Sequence, residues 1–294
     1  MQQQLPDFWV ANSSGSLEID QDMKYIELDD SQSLPGKTIG DNTLFSFDCN
    51  PGVSCFNLCC HNLNLFLYPY DVIRLTHHLK LFSDQFIEKH VDVVLRDGCF
   101  FPEVLLTMSE LPEKPCPFLS PSGCSVYQNR PEACRMFPIE QGLFYEAKIR
   151  RTRKIHYFKP PGFCQGSKGL KQWTPSRWIK DQCAEDYNNM TKRWSELMRL
   201  FRNDPWAGEG PDGKRGKMAF MAAYNMDMFR EFVFKSSFLK RYKIASASLD
   251  KAEGDDVELL KIGMAWIELF IWGKASPLMR LRKSGIQKIR KSGS

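Results

Sequence analysis

Seven of the ten cysteines fall in two short stretches, Cys49, Cys55, Cys59 and Cys60 in one and Cys116, Cys124 and Cys134 in the other, and nothing else constrains the fold as strongly. Both stretches are rich in turn-forming residues. Asn50-Pro51-Gly52 follows Cys49, and Pro117, Pro121, Gly123 and Pro131 punctuate the second. Such segments read as loops that present side chains, not as helices or strands that bury them. An eighth thiol, Cys164, sits in the turn sequence Gly162-Phe163-Cys164-Gln165-Gly166. Cysteines that merely fill a core would be scattered; Cys99 and Cys183 are, and both read as packing residues.

Thiolates are the soft ligands that zinc and iron–sulfur clusters need, so the eight bunched cysteines are candidate metal ligands. Four thiolates around one centre leave net negative charge, which calls for cations and N–H donors nearby. Arg130 and Arg135 flank Cys134 in Asn129-Arg130-Pro131-Glu132-Ala133-Cys134-Arg135 and are the candidates for contacting a bound cofactor. His61, next to Cys60, is a weaker candidate ligand.

The spacings exclude familiar arrangements. No Cys-x2-Cys occurs, which argues against an ordinary zinc ribbon, a zinc finger or a thioredoxin-like redox pair. Cys-x3-Cys-x2-Cys, the pattern of radical S-adenosylmethionine enzymes, is absent because Cys60 directly follows Cys59. Adjacent residues point in different directions in most backbone conformations. Eight thiols are therefore enough for one cluster with spare cysteines or for two four-thiolate sites. The same spacings favour an iron–sulfur cluster, with zinc as the alternative. Glycine-rich phosphate loops, Gly-x-Ser-x-Gly and zinc-protease motifs are also missing.

The rest of the chain is that of a globular protein, 43% apolar and 26% charged. The amino terminus lacks the basic start and apolar run of a secretory signal, so the expected compartment is cytoplasmic, where thiols bind metal more readily than they pair as disulfides. No transmembrane segment is expected: the most apolar late stretch, 257–272, carries Glu258, Lys261 and Glu268 and reads as a buried helix.

Charge and turn signals suggest three regions. Residues 1–40 read as an acidic arm with a short strand around Tyr25–Leu28; 41–170 as a small cysteine-cluster domain; 171–294 as a helical region whose last residues, from Lys274 onward, carry seven bases and no acid. Within the second, Pro69 suits the first turn of a helix bearing Asp71 and Arg74, Ser83 suits the cap of another, and 144–158 reads as a hairpin with a basic run. In the third, Thr174-Pro175 starts a helix through Trp178 and Phe201, 203–217 is a loop, and helices follow over 218–235 and 255–272. The fold class expected is α+β: a small loop-rich cysteine-cluster domain with a short β-hairpin, packed with several α-helices. A protein partner or substrate fits such a chain, and the basic tail leaves nucleic acid as a further candidate.

Cys55-x3-Cys59-Cys60, Tyr70-Asp71-x2-Arg74-Leu75 and Cys116-Pro-Phe-Leu-x4-Cys124-x2-Tyr127-x2-Arg130-Pro131-x2-Cys134-Arg135-x-Phe137-Pro138 together resemble the YkgJ-type cysteine-cluster proteins. The resemblance spans about residues 45–170 and implies a metal site using Cys49, Cys55, Cys59, Cys60, Cys116, Cys124, Cys134 and Cys164. That family's usual first motif is Cys-x2-Cys-x2-Cys-Cys; here the gaps are five and three, and Cys49 is the member affected. The flagellin lysine N-methylases carry a similar cysteine pattern, but nothing in this chain identifies a methyl-donor site.

Overall fold

The computed structural model describes residues 25–26, 37–96, 99–146 and 151–282. Most of the acidic arm, Lys148 and Arg150 of the basic run, and the tail bases from Lys283 onward lie outside these residues. The fold is mixed α+β, with ten α-helices among the described residues and several small sheets. No helix among those residues is long and apolar enough to cross a membrane.

The chain divides into two compact units that do not follow sequence order. One, the helical unit, holds Val72–Val104 and the residues from Leu200 onward; the other, the cysteine unit, holds the described residues up to Asp71 together with Leu105–Arg199. All eight candidate ligands and Cys183 fall in the cysteine unit, whereas Cys99 falls in the helical unit.

In the cysteine unit the largest sheet is built on the expected hairpin, which is longer than the sequence suggested. Strands Ile139–Glu146 and Arg151–Phe158 pair antiparallel, with Ile139 opposite Phe158 and Glu146 opposite Arg151. Lys37–Ile39 adds to the second strand and Tyr25–Ile26 runs parallel to the first. A second pair joins Phe45–Ser46 to Gln172–Trp173. Four helices begin or lie in this unit: α1 (Pro69–Leu79), α3 (Glu132–Met136), α4 (Pro175–Asp181) and α5 (Glu185–Leu200). Its apolar core gathers Ile39, Phe45, Phe47, Met136, Ile139, Trp173, Trp178 and Ile179, with the thiol-bearing Cys164 buried among them. The indole N–H groups in that core are not orphaned: Trp173 donates to Phe47 O at 2.9 Å and Trp178 to Met136 O at 3.0 Å.

Thr174 caps α4 as expected, its Oγ1 accepting from Arg177 N at 3.3 Å. The single helix read through Trp178 and Phe201 is instead two. The chain turns at Gln182–Ala184, where Cys183 takes φ 49°, and α5 begins afresh at Glu185. Cys183 is exposed at that turn, not packed on a helix face.

The helical unit contains α2 (Ser83–His90), α6 (Lys214–Tyr224), α7 (Met226–Lys235), α8 (Phe238–Arg241), α9 (Ser246–Ala252) and α10 (Asp256–Trp272). Ser83 is the first residue of α2; its N–H is taken by Asp227 Oδ2 at 2.7 Å. The helical region read over 218–235 is divided at Asn225, which ends α6 and caps α7 by accepting from Met228 N at 3.1 Å. Asp255 caps α10, accepting from Val257 N and Glu258 N, and Gly273 in the left-handed conformation ends it. Helices α10 and α6 approach so closely that a Cβ on Gly263 would lie 2.2 Å from Ala222 O, so only glycine fits there. Around that contact the core is aromatic: Trp266 is 1% exposed and stacks on Phe270 with centroids 4.6 Å apart, and Phe229 and Phe238 pack against it. His77 meets Asp256 Oδ2 at 2.6 Å, and Arg230 pairs with the same carboxylate.

Candidate metal centre

The first cysteine stretch is a succession of turns closed by a single 3₁₀ turn, Leu58–Cys60, entered through Asn57 at φ 67°. Successive residues of a 3₁₀ turn are about 120° apart. Cys59 and Cys60 therefore leave the backbone in different directions, although their thiols still share a hydrogen bond. That bond is the largest cause of a split between them: it brings Cys59 down to about 7 and pushes Cys60 up. Of the two, Cys59 is the one whose thiolate the hydrogen bond favours.

The end of this stretch is tied to the second by the backbone. Cys116 N–H donates to Cys60 O at 2.7 Å, Asn62 N–H to Lys114 O at 2.8 Å, and His61 bridges Pro115. From Cys116 the chain makes a tight two-stranded turn, Leu119–Ser120 against Gly123–Cys124, with Leu119 opposite Cys124 and Gly123 at φ 111°. Backbone N–H groups then point at sulfur: Phe118 toward Cys116 and Val126 toward Cys124. Each favours the thiolate, against the burial that pushes both thiols up.

The start of the first stretch is tied elsewhere, to the loop around Cys164. Phe47 N–H donates to Lys171 O and Asp48 N–H to Gly166 O, both at 2.9 Å, and Gln165 N–H donates to Cys55 Sγ at 3.1 Å. This closeness depends on glycine: a Cβ on Gly169 would fall 2.6 Å from Asp48 Cβ.

Cys134 rides on α3, whose first turn is pinned by a buried carboxylate. Asp71, 1% exposed, accepts from Glu132 N at 2.8 Å through Oδ1 and from Tyr68 N at 2.9 Å through Oδ2. It thus fixes α3 to the start of α1 and lies within electrostatic reach of Cys134. The aspartate thereby anchors the element that carries a thiol. Burial pushes Cys134 up, and charge on Cys116, Cys124, Asp71 and Cys59 would push it further.

Arg130 and Arg135 are both buried, and both brace the turn between α4 and α5. Arg130 Nη1 donates to Tyr127 O at 2.6 Å, Nη2 donates to Gln182 Oε1, and the guanidinium lies 3.9 Å from the Tyr127 ring centroid. Arg135 Nη1 donates to Gln182 O at 2.5 Å and Nη2 to Gln128 O at 2.7 Å, with its charge over Tyr187. Arg130 also lies within electrostatic reach of Cys124 and Cys134. Gln182 joins both arginines, and sequence reading missed it. The only signal was a weak one, a polar residue interrupting the apolar face of an expected helix.

Each of the eight candidate thiols thus has at least one other beside it. Cys49 is within electrostatic reach of Cys59, Cys55 and Cys164, and burial with that surrounding charge pushes it up to about 11. Cys60 is within reach of Cys59, Cys134 and Cys116. As the side chains stand, no three Cys, His, Asp or Glu among the described residues converge into a group that could hold an ion. The donor chemistry nonetheless fits a soft metal. The thiols are clustered, Cys59, Cys116 and Cys124 accept hydrogen bonds that favour thiolate, and rotation about χ1 between staggered wells redirects each Sγ without moving the backbone. His61 Nδ1 lies 3.1 Å from Asn57 O, which occupies one ring nitrogen.

No curated protein and no solved structure matches the chain. Residues 48–165 match the model of the CxxCxxCC family, whose description is “Putative zinc- or iron-chelating domain”, so the family resemblance read from the cysteines holds for this segment and supports metal binding by it.

Proposed function

We propose that the cysteine unit holds an iron–sulfur centre through Cys49, Cys55, Cys59, Cys60, Cys116, Cys124, Cys134 and Cys164, and that this centre serves redox or modification chemistry on a protein or small-molecule substrate. The observation that carries the reading is the set of backbone ties between cysteine loops distant in sequence. Cys60 O accepts from Cys116 N–H and Cys55 Sγ from Gln165 N–H. Thiols brought together this way repel one another once ionised, and a cation relieves that repulsion. Iron–sulfur is preferred to zinc because the spacing lacks the Cys-x2-Cys knuckle of the commonest zinc sites. Such a centre would supply one-electron chemistry. The protein's own part is to exclude water, through the core around Cys164, and to set the charge nearby, through Arg130.

The test is anaerobic purification without chelator, followed by iron, zinc and acid-labile sulfide analysis. A brown protein with iron and sulfide in equal amounts is the expected result. Colourless protein with stoichiometric zinc would remove the iron–sulfur reading and leave metal chelation standing. Protein free of both metals would remove chelation itself.

A further inference from the structure

The eight thiols do not form one crowd, and we infer that they make two four-sulfur centres, one from Cys49, Cys55, Cys59 and Cys164 and the other from Cys60, Cys116, Cys124 and Cys134, meeting at the Cys59–Cys60 pair. This rests on the chelation proposed above and adds to it the number of centres and the membership of each.

Three features draw the division. The first is the routing of the backbone. Residues 47–55 are tied to the 164–171 loop by Phe47 N–H to Lys171 O, Asp48 N–H to Gly166 O and Gln165 N–H to Cys55 Sγ. Residues 60–62 are tied instead to 114–116 by Cys116 N–H to Cys60 O and Asn62 N–H to Lys114 O. The first stretch therefore has two ends, each fastened to a different partner loop. The second feature is the 3₁₀ turn at Leu58–Cys60, which sends adjacent side chains about 120° apart and so lets neighbours in sequence serve different centres. The third is which thiols sit beside which. Cys49 has Cys59, Cys55 and Cys164 around it; Cys60 has its sequence neighbour Cys59 and, across the loop, Cys134 and Cys116; Cys116 has Cys124. Cys134 has Cys116 and Cys124 first, and Cys59 only as the most distant in effect.

The two sets also differ in surroundings. The first includes Cys164 and Cys55, both buried, but also Cys49, which is exposed. The second lies beside the Arg130 guanidinium and takes N–H donors from Phe118 and Val126. Each set has the four cysteines that a tetrahedral metal ion or one iron–sulfur cluster requires. The hydrogen bond between Cys59 and Cys60 makes the two a contiguous pair, so that charge at one is felt at the other.

The experiment uses the full chain, stripped of metal and titrated anaerobically with cobalt(II), whose thiolate and ligand-field bands report each four-sulfur site. The unaltered chain is expected to saturate at two equivalents. The double variant Cys55→Ser/Cys164→Ser and the double variant Cys124→Ser/Cys134→Ser are each expected to saturate at one, with the band intensity halved. Iron or zinc content of the proteins as purified should halve in the same way. Saturation of the unaltered chain at one equivalent overturns the two-centre inference while leaving chelation intact, and does so without any variant having to fold. Loss of all binding in either double variant, when its far-ultraviolet circular dichroism matches the unaltered chain, also overturns it. No cobalt binding by the unaltered chain overturns the chelation reading as well.

Discussion

The two units of this protein reach order by opposite means. The helical unit is built around aromatic side chains, with Phe229, Phe238 and Phe270 each against Trp266 and helices close enough that a Cβ on Gly263 would meet the backbone of α6. Burying such rings supplies its stability directly. The cysteine unit has an apolar core around Phe47 and Trp178, but its two cysteine stretches, 49–60 and 116–134, are made of turns, the 3₁₀ turns Leu58–Cys60 and Tyr127–Asn129, a short two-stranded turn and the start of α3. What holds those loops is a small number of hydrogen bonds to backbone groups and a carboxylate at Asp71. A metal bound by the thiols would add what such loops lack; a unit packed on tryptophan and phenylalanine has no such need.

The strongest way to break that contrast is to remove metal. Structural zinc in small cysteine domains contributes on the order of 10 kcal/mol to folding. Chelation under reducing conditions is therefore expected to abolish hydrogen-exchange protection through 49–60 and 116–134 while α6, α7 and α10 keep theirs. Equal loss in both units would show that the difference drawn here is false. The reverse experiment comes next in size. Trp266→Ala leaves a large cavity in the helical unit and is expected to cost about 3–5 kcal/mol by denaturant unfolding, with metal content unchanged. Trp266→Phe should cost less, since the indole N–H has no hydrogen-bond partner among the described residues.

A third prediction concerns pH. His156 is 1% exposed in the 151–158 strand, its Nδ1 3.3 Å from Asp41 Oδ1. Burial, with Lys154 adding to it and Asp41 opposing, brings the imidazole down from 6.5 to about 4. The folded state thus binds fewer protons than the unfolded state between these values. Its stability contribution is complete above pH 6.5 and is lost as pH falls toward 4, by about 3 kcal/mol at 1.36 kcal/mol per pH unit. His156→Gln should flatten that limb, seen as a gap between the two proteins' urea midpoints that changes between pH 7 and pH 4.5. An unchanged gap would mean that this histidine titrates normally.

The smallest effect is the most local. Asp71→Ala leaves two backbone N–H groups of the cysteine unit, on Tyr68 and Glu132, without their acceptor, at a cost of about 1–3 kcal/mol. Because Cys134 rides on the helix so anchored, metal retention should fall as well, most of all for the set containing Cys134. If metal retention is unaltered while stability drops, Asp71 serves the fold alone.

Much of this was legible in the chain. Thiols are rare, and conspicuous when they bunch with Pro and Gly, so the candidate ligands, the loops and the family resemblance could all be read from residue type and spacing. Local rules also placed Pro69 and Thr174 at helix starts, because capping and the proline ring act within a few residues. Those rules failed where a distant group took over. The break at Gln182–Ala184 interrupts a good apolar periodicity because Arg130 and Arg135 both claim Gln182, and periodicity carries no record of that claim.

The sequence by itself determined the candidate donors: eight bunched cysteines of one kind, with too few alternatives nearby to suggest another chemistry. Tertiary structure decided who neighbours whom. Cys49 and Cys164 are far apart in the chain but share a neighbourhood because Gly166 and Gly169 let the backbone of one loop lie against Asp48, while Cys59 and Cys60 are adjacent in the chain but diverge on a 3₁₀ turn. Spacing along a chain limits how far apart two thiols can be; only the hydrogen bonds that fold the loops fix how close they come.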